Sequence, residues 1–243
     1  VRAIAPHVKS KLTDPAVVVM DEMGRFIVPL LSGHVGGANA LALALAEKTG
    51  AQPVVTTATD LNGVPAIDAW AVEHDCAIEN PSAIKSVSSA ALAGRAVGVM
   101  ITERALDPPC PVTLALRPRT LILGGGCKKG VDPAAFEAAA LAFLDKCGVS
   151  LLSVRALATI DIKADEPAFQ SFCAKYRLPL LTHAAEELSK APGLFAKSEY
   201  ALEAVGADNV CERAAVLASG GRLLAGRARY EGLTLALGGE QDT

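Results

Sequence analysis

Hydrophobic runs in the first part of the chain alternate with glycine-rich turns and helical patterns. Residues 17–20 are all apolar, as in a buried strand, and a turn over 21–24 separates them from a predicted strand over 25–31. The alanine- and leucine-rich residues 38–49 predict a helix, and Gly50 follows where helices commonly end in glycine. This order of strand, loop and helix is typical of a mainly parallel sheet with helices on its faces.

The pattern continues in shorter segments up to a proline-rich stretch. The predicted elements are a strand over 53–57, a short helix over 67–72, a helix over 81–93 with Asn80 or Ser82 as its cap, and a strand over 95–102. Residues 107–111 predict an extended connector, because proline fixes the backbone and lacks an N–H group. Residues 112–119 read either as a last strand or as part of the linker, and we place the domain boundary near residue 118.

The second half restarts the pattern with a strand over 120–123 and a glycine-rich loop over 124–130. Asp132 and Pro133 begin a helix that ends near Lys146, since an acidic cap followed by proline is a typical helix start. The later elements are a strand over 157–163, a helix over 165–176, a strand over 178–181, a short helix over 184–188, a helix over 210–218 capped by Asp208, and a hairpin of 222–228 with 232–236.

The fold class that follows is α/β with two domains, residues 1–118 and 119–243. Each domain is predicted to hold a mainly parallel sheet flanked by helices, and the second to be mixed because of its C-terminal antiparallel hairpin. The chain has 243 residues, of which 51% are hydrophobic and 20% charged, which suffices for folded cores. Its formal net charge of −3 argues against a general nucleic-acid binder but leaves room for a local basic pocket.

Cysteine usage and the lack of long apolar runs favour a cytoplasmic location. The six cysteines show no C-x-x-C spacing, so we expect reduced thiols rather than a structural zinc site or a disulfide framework. No apolar run reaches the ~18 residues that a membrane span needs, and no secretory signal pattern is present. We therefore expect no membrane and no nucleic-acid partner.

The stretch 29–39 holds the most suggestive chemistry of the first half. A predicted strand ends in a loop with Gly33, Gly36 and Gly37, and a helix follows, so the loop backbone can approach a ligand and helix N–H groups can face an anion. His34 within this loop is the proton-transfer candidate. The spacing G-x-x-G-G departs from the dinucleotide fingerprint, and a simple tight turn with a packed or solvated histidine remains the alternative.

The second glycine-rich segment, 124–130, has the same strand, loop and helix setting. It is not a Walker A loop, because the lysine pair precedes the last glycine and Val131 stands where Ser or Thr would bind magnesium. Lys128 and Lys129 offer charges for carboxylates, or form a solvated pair beside a turn. Cys127, near a helix N-terminus and two lysines, is in a setting that favours the thiolate. Because the sequence supplies no base partner for a nucleophile, a structural or ligand-contacting cysteine is the preferred interpretation.

In sequence order, the motifs resemble those of the cobalt-precorrin-5A hydrolase family of anaerobic cobalamin (vitamin B12) biosynthesis. The segments that carry the resemblance are 1–6, 14–19, 30–39, 55–60, 124–130, 159–167 and 208–215, with 73–118 the weakest region. Family members usually start further upstream, so the resemblance implies that part of the N-terminal domain precedes Val1. It also implies a hydrolase that opens the ring-A δ-lactone of a cobalt-containing corrinoid, with release of acetaldehyde.

The resemblance and the glycine-rich segments together give a set of expected site residues. His34 is expected to act as general base or acid. Asp60, which follows a predicted strand, is expected to orient either His34 or the attacking water. The expected substrate-binding residues are Ser32, Gly33, Gly36, Gly37, Asn39 and Thr57 in the first domain, and Gly125, Gly126, Cys127, Lys128 and Lys129 in the second. The N–H groups of Gly36 and Gly37 are expected to stabilise the lactone oxyanion.

No protein cofactor or metal site is expected, since cobalt would arrive within the corrinoid substrate. Other enzymes of the cobalamin pathway are conceivable partners, and a homodimer is compatible with the sequence. The alternative is a non-catalytic protein that binds or carries a corrinoid intermediate between pathway enzymes. Turnover by the intact chain would distinguish the two.

Overall fold

The computed structural model describes residues 2–10, 13–56, 63 and 66–240. The chain divides into two compact units, one formed by Val1–Ile101 with Pro108–Leu116 and the other by Thr102–Asp107 with Arg117–Thr243. The predicted α/β class with two domains is confirmed. Residues 102–107, which end at the first residue of the predicted connector, belong to the second unit, where Arg104 forms a bridge with Val149.

The first unit contains two small sheets and the helices beside them. Its elements are β1 (Val17–Met20), β2 (Phe26–Leu31), α1 (Ala38–Thr49), β3 (Gln52–Pro53), α2 (Ile67–Glu73), β4 (Cys76–Ile78), α3 (Ile84–Leu92), β5 (Gly98–Ile101) and β6 (Thr113–Pro118). The last two residues of β6, Arg117 and Pro118, already belong to the second unit. Among the described residues the sheet orders are β1-β2-β3 and β4-β6-β5. The predicted helix over 38–49 is confirmed, and Gly50 ends it at a φ of 73°.

The strand pairing of the first unit differs from the single, mainly parallel sheet that the sequence predicts. Strands β1 and β2 are antiparallel, because the connection over 21–25 is far too short for a parallel crossover. Strands β2 with β3 and β5 with β6 are parallel. Asn80 was predicted to cap α3, but its side chain instead bonds the Thr113 carbonyl and the Ala115 amide, both at 2.9 Å, and so fastens this corner to β6.

The second unit is built around one mixed sheet. Its elements are β7 (Leu121–Cys127), α4 (Pro133–Lys146), β8 (Val154–Ile160), α5 (Pro167–Tyr176), β9 (Leu180–His183), α6 (Ala185–Ser189), α7 (Glu199–Val205), α8 (Cys211–Ser219), β10 (Arg222–Tyr230) and β11 (Leu233–Gly239). The strand order is β10-β11-β7-β8-β9, with β7, β8 and β9 parallel and the hairpin β10–β11 antiparallel. The predicted hairpin and the Asp132 cap, which accepts the Ala135 amide at 3.0 Å, are confirmed.

Alternate residues of β7 face two different cores. Leu121 and Leu123 pack against the phenylalanines of α4 and α5, and Ile122 packs with Ala214 of α8 on the opposite face. This period-two alternation places a helix layer on each side of the sheet.

The glycine-rich loop predicted over 124–130 is wrong in its first half, because Gly124, Gly125 and Gly126 lie within strand β7. Packing explains the glycine at 124, where a Cβ atom would lie 1.9 Å from the carbonyl oxygen of Cys211 in α8. Gly238 of β11 also packs closely against α8, since a Cβ atom at this position would lie 2.4 Å from the Ala215 carbonyl oxygen. These glycines therefore let α8 lie close on the sheet.

Several further elements differ from the predictions. The strand predicted over 157–163 spans 154–160, the strand over 53–57 is only Gln52–Pro53 among the described residues, and α7 was not predicted. Asp208 does not cap α8, because its carboxylate pairs with Arg213 Nε at 2.7 Å. The neighbouring Asn209 accepts the Glu212 amide instead, at 3.0 Å.

Candidate functional site

The loop that carries His34 is held in a compact form by its own residues. Ser32 has a φ of 55° and Gly37 a φ of 81°, both in the left-handed region. A Cβ atom at Gly36 would lie 2.2 Å from the Ser32 Cβ and 3.0 Å from the Asp14 carbonyl oxygen. Only glycine fits there without moving the backbone, so the G-x-x-G-G spacing reflects close packing within the loop.

The prediction that this helix N-terminus offers free N–H groups is wrong for three amides. The amides of Gly37, Ala38 and Asn39 donate to the carbonyls of His34, Ser32 and Gly33, at 2.9, 3.0 and 2.9 Å. The Gly37 amide is thus engaged inside the loop rather than presented as an oxyanion donor. The Asn39 side chain also folds back toward Gly33, whose Cβ would lie 2.9 Å from the Asn39 Oδ1.

Ser32, Gly33, Gly36, Gly37 and Asn39 are thus brought together around His34. The Ser32 hydroxyl is buried and has no hydrogen-bond partner in the part of the chain that the structure describes. Contacts of these residues with substrate stay a prediction.

His34 lies beside a buried carboxylate that the sequence did not identify. Its Nδ1 is 3.6 Å from Oδ1 of Asp68, in the first turn of α2, and the two side chains are 16% and 6% exposed. The carboxylate predicted for this role, Asp60, lies outside the described residues, as does Thr57. Asp68 gave no distinct signal in the sequence, because an acidic residue in the first turn of a helix is common on charge grounds alone.

A cleft of about 520 Å³ opens in the second unit beside the end of β7. Gly126, Cys127, Lys128 and Lys129 line it, together with residues of α7, α8 and the hairpin β10–β11. The fifth predicted residue, Gly125, does not line the cleft, because it is buried within β7, where its carbonyl accepts the Thr159 hydroxyl at 2.8 Å. The volume lies within the range of small-molecule sites.

The chemistry of this cleft is a cationic rim on an apolar floor. Its basic side chains are Lys128, Lys129, Lys163, Arg227 and Arg229, and no aspartate or glutamate is among its described lining residues. Its apolar members include Ile160, Val205, Val210 and Leu233. The two arginines, carried by the C-terminal hairpin, were missed from sequence because their neighbourhood with Lys128 exists only after the hairpin pairs with β7.

Glu166 holds in place the loop that carries Lys128 and Lys129. This buried carboxylate accepts the Gly130 amide at 2.8 Å and the Lys163 ammonium at 3.0 Å. Burial raises the pKa of Glu166, but the hydrogen bonds from Lys163 and from the Gly130 amide outweigh burial, so the pKa lies below its ordinary value. The Lys128 amide also donates to the Gly232 carbonyl at 2.8 Å, which ties the loop to the hairpin.

A second buried carboxylate, Glu212, orders the arginine side of the cleft. It accepts the backbone amides of Arg227 and Ala196 at 2.6 and 2.9 Å, and the side-chain amide of Asn209. Asn209 in turn donates to the Ala196 carbonyl at 2.8 Å. The buried side chains of Glu212 and Asn209 thus both have hydrogen-bond partners, as buried polar groups require. The bond from its amide to Glu212 fixes the backbone position of Arg227.

Cys127 is a neutral thiol rather than the thiolate that the sequence favours. Cys127 is the last residue of β7 and is partly buried, and burial raises the pKa of its thiol to about 11. The smaller effects of the nearby charges oppose each other, since Lys163 lowers this pKa and Glu166 raises it. Lys128 and Lys129 are exposed and do not reverse this effect. A thiol with such a pKa is almost entirely protonated at neutral pH.

Replacing Cys127 with alanine is therefore expected to leave kcat within about threefold of the unmodified chain, because a protonated thiol is no nucleophile. Turnover assays at pH 7 and alkylation of Cys127 by iodoacetamide between pH 7 and 11 would check this. The alkylation rate should rise toward pH 11. Rapid alkylation at pH 7 that abolishes turnover would contradict it.

The remaining candidate groups give a consistent chemical picture. All six cysteines are free thiols. Within the described ranges, no three His, Cys, Asp or Glu side chains come together as metal ligands. Among the described helices, none combines the length and the apolar character that crossing a membrane requires.

Three family models match consecutive parts of the chain. They are described as the N-terminal part of cobalamin synthesis G, at residues 1–60, the central region of a cobalamin biosynthesis protein, at 65–118, and the C-terminus of cobalamin synthesis G, at 121–238.

Relatives of known name match over most of the chain. Cobalt-precorrin-5A hydrolase of Salmonella typhimurium is 33% identical, over 98% of this chain and 78% of the relative, and that of Priestia megaterium is 31% identical, over 90% and 70%. The solved structure of CobE, a protein of the cobalamin biosynthetic pathway, is 32% identical over 49% of this chain and 88% of its own, with a TM-score of 0.45. The chain therefore belongs to the cobalt-precorrin-5A hydrolase family.

Proposed function

We propose that this chain is a hydrolase of cobalamin biosynthesis that acts on cobalt-precorrin-5A, opens its ring-A δ-lactone and releases acetaldehyde. The observation that carries the substrate class is the cleft of the second unit, with five basic side chains, an apolar floor and no acidic lining residue among those described. An apolar macrocycle rimmed with acetate and propionate carboxylates is complementary to such a surface. The family to which the chain belongs supports the same substrate.

His34 is the group that moves protons in the proposed reaction. In lactone opening, a water oxygen adds to the lactone carbonyl carbon while His34 accepts the proton from that water. The carbon–oxygen bond of the lactone then breaks, and His34 returns the proton to the departing oxygen, which leaves a carboxylate and a free hydroxyl. Loss of the hydroxyl proton allows the adjacent carbon–carbon bond to break, which releases acetaldehyde and leaves the electron pair on the macrocycle.

Cobalt enters this scheme as part of the substrate, and the protein residues bind, orient and transfer protons. The free thiols fit a reducing compartment, and we infer that the enzyme works in the cytoplasm.

The cationic rim is expected to set affinity rather than rate. Changing Lys128 or Arg229 to alanine should raise the Kd for cobalt-precorrin-5A about 3- to 10-fold each, because each change removes a partly solvated partner of a carboxylate. Changing both should weaken binding by about the product of the two effects. Absorbance titration of the corrinoid at two salt concentrations would measure this.

Lys190→Ala is the matched control, since this exposed lysine of the same unit does not line the cleft. Its Kd should stay at the value of the unmodified chain. If Lys190→Ala and Lys128→Ala weaken binding equally, the cleft is not the carboxylate site.

Turnover distinguishes the hydrolase from a corrinoid carrier. The purified chain is incubated with cobalt-precorrin-5A, and acetaldehyde is trapped as a hydrazone and counted per protein molecule. Many turnovers per molecule support the hydrolase. Tight binding of the corrinoid with no acetaldehyde above the protein-free reaction would favour the carrier.

A further inference from the structure

We propose that Asp68 is a positioning residue for His34. The proposal rests on the proposed function, which assigns proton transfer to His34. It adds that the carboxylate of Asp68 holds the imidazole through Nδ1, so that Nε2 is the nitrogen that accepts and returns protons.

Asp68 is a buried carboxylate that lies beside the imidazole of His34. Its residue is 5% exposed, and it lines a cavity of about 140 Å³ whose other walls include Ile84, Val87 and Leu114. A carboxylate in apolar surroundings is costly unless it is paired. Among the described residues its pairing partner is the His34 imidazole, whose Nδ1 lies 3.6 Å from the Asp68 Oδ1.

The two residues come from different elements, so the pairing depends on the fold. His34 belongs to the loop between β2 and α1, which the hydrogen bonds of its own backbone hold compact. Asp68 lies in the first turn of α2, more than thirty residues later in the chain. A buried carboxylate beside an imidazole in a compact loop is the arrangement that orients a catalytic histidine.

The separation of 3.6 Å is an ion-pair distance that is longer than a hydrogen bond. Such contacts often shorten when a substrate binds. The carboxylate favours a hydrogen on Nδ1, which places the lone pair of the neutral ring on Nε2, the nitrogen that takes the water proton in the proposed scheme. It also stabilises the imidazolium that forms when that proton is transferred.

Kinetics give the first test, on the full chain. Asp68→Asn is expected to lower kcat about 100-fold with KM within about threefold, and Asp68→Glu to recover part of that loss. With His34→Ala already present, Asp68→Asn should cost little more, because both changes act on one unit. Glu73→Gln, an exposed carboxylate on the same helix, is the control and should keep kcat.

Equal losses of kcat from Asp68→Asn with and without His34 would overturn the proposal. So would a change confined to KM.

A spectroscopic readout separates this proposal from the proposed function. Nitrogen NMR of the free chain, with the His34 signals assigned by their absence in His34→Ala, should show the proton on Nδ1. In Asp68→Asn this preference should be lost or reversed, and in Glu73→Gln it should persist. A proton on Nε2 of His34 in the unmodified chain overturns the proposal even if both variants fold poorly. If the NMR result is as expected but no lactone opening occurs, the proposed function fails and the pairing stands.

Discussion

His34→Ala is expected to lower the kcat for lactone opening about 10³-fold and to change KM by less than about threefold. General acid–base catalysis by one positioned side chain contributes ~10² to 10⁴ in rate, and the proposed scheme uses His34 twice, to take a proton from water and to return it to the leaving oxygen. His34 is not among the residues that line the cationic cleft, which is the proposed binding surface. Loss of the imidazole should therefore appear in kcat and not in KM.

His7→Ala is the control for this measurement, since His7 is an exposed histidine of the same unit. Acetaldehyde release is measured at several substrate concentrations, and a circular dichroism spectrum checks that each variant is folded. A His34→Ala chain that is folded and keeps a kcat within about threefold of the unmodified chain would remove His34 from the reaction.

Gly124→Ala is expected to destabilise the second unit by about 3 kcal/mol or more, near the upper end of what overpacking costs. The added Cβ would lie 1.9 Å from the Cys211 carbonyl oxygen and 2.9 Å from the Ala215 Cβ. The nearest of these atoms is backbone within α8, so no rotation of a side chain can relieve the contact. Either the helix moves away from β7 or the strand loses its register, and both expose apolar surface.

Gly125→Ala is the matched control, one residue along the same strand. Its Cβ would lie 3.3 Å from the side chains of Leu157 and Phe169, which can shift by a few tenths of an ångström. Urea unfolding followed by tyrosine signals reports the second unit, because all three tyrosines lie there, and Trp70 fluorescence reports the first. Equal losses of stability from Gly124→Ala and Gly125→Ala would contradict the packing of α8 described above.

The regular elements could be predicted because their signals are local. The alanine- and leucine-rich stretch of α1, the Asp132–Pro133 start of α4 and the C-terminal hairpin each depend on residues that are neighbours in sequence. The glycines of β7 misled the prediction for the opposite reason. Gly124 reads as a loop residue because it lacks a side chain, while its role is set by α8, almost ninety residues later.

The residues of the candidate site also fall into two groups, those that local sequence reveals and those that only the fold reveals. His34 stands out by its glycine-rich loop and the lysine pair 128–129 by its charge, so both are visible in the sequence. Asp68 and Arg229 are not, since each becomes relevant only when the fold brings a distant element beside it. Cys127 shows that neighbouring charges in the sequence do not fix the state of a thiol, because burial raises the pKa of Cys127 to about 11.

The most direct test of the proposed function is the mass of the product formed from cobalt-precorrin-5A in water labelled with ¹⁸O. Hydrolysis at the lactone carbonyl predicts one ¹⁸O atom in the new carboxylate of the corrinoid, together with one acetaldehyde released per corrinoid consumed. The reaction should require the folded chain and nearly vanish with His34→Ala. A corrinoid recovered unchanged in mass after incubation with a folded chain that binds it would contradict the account.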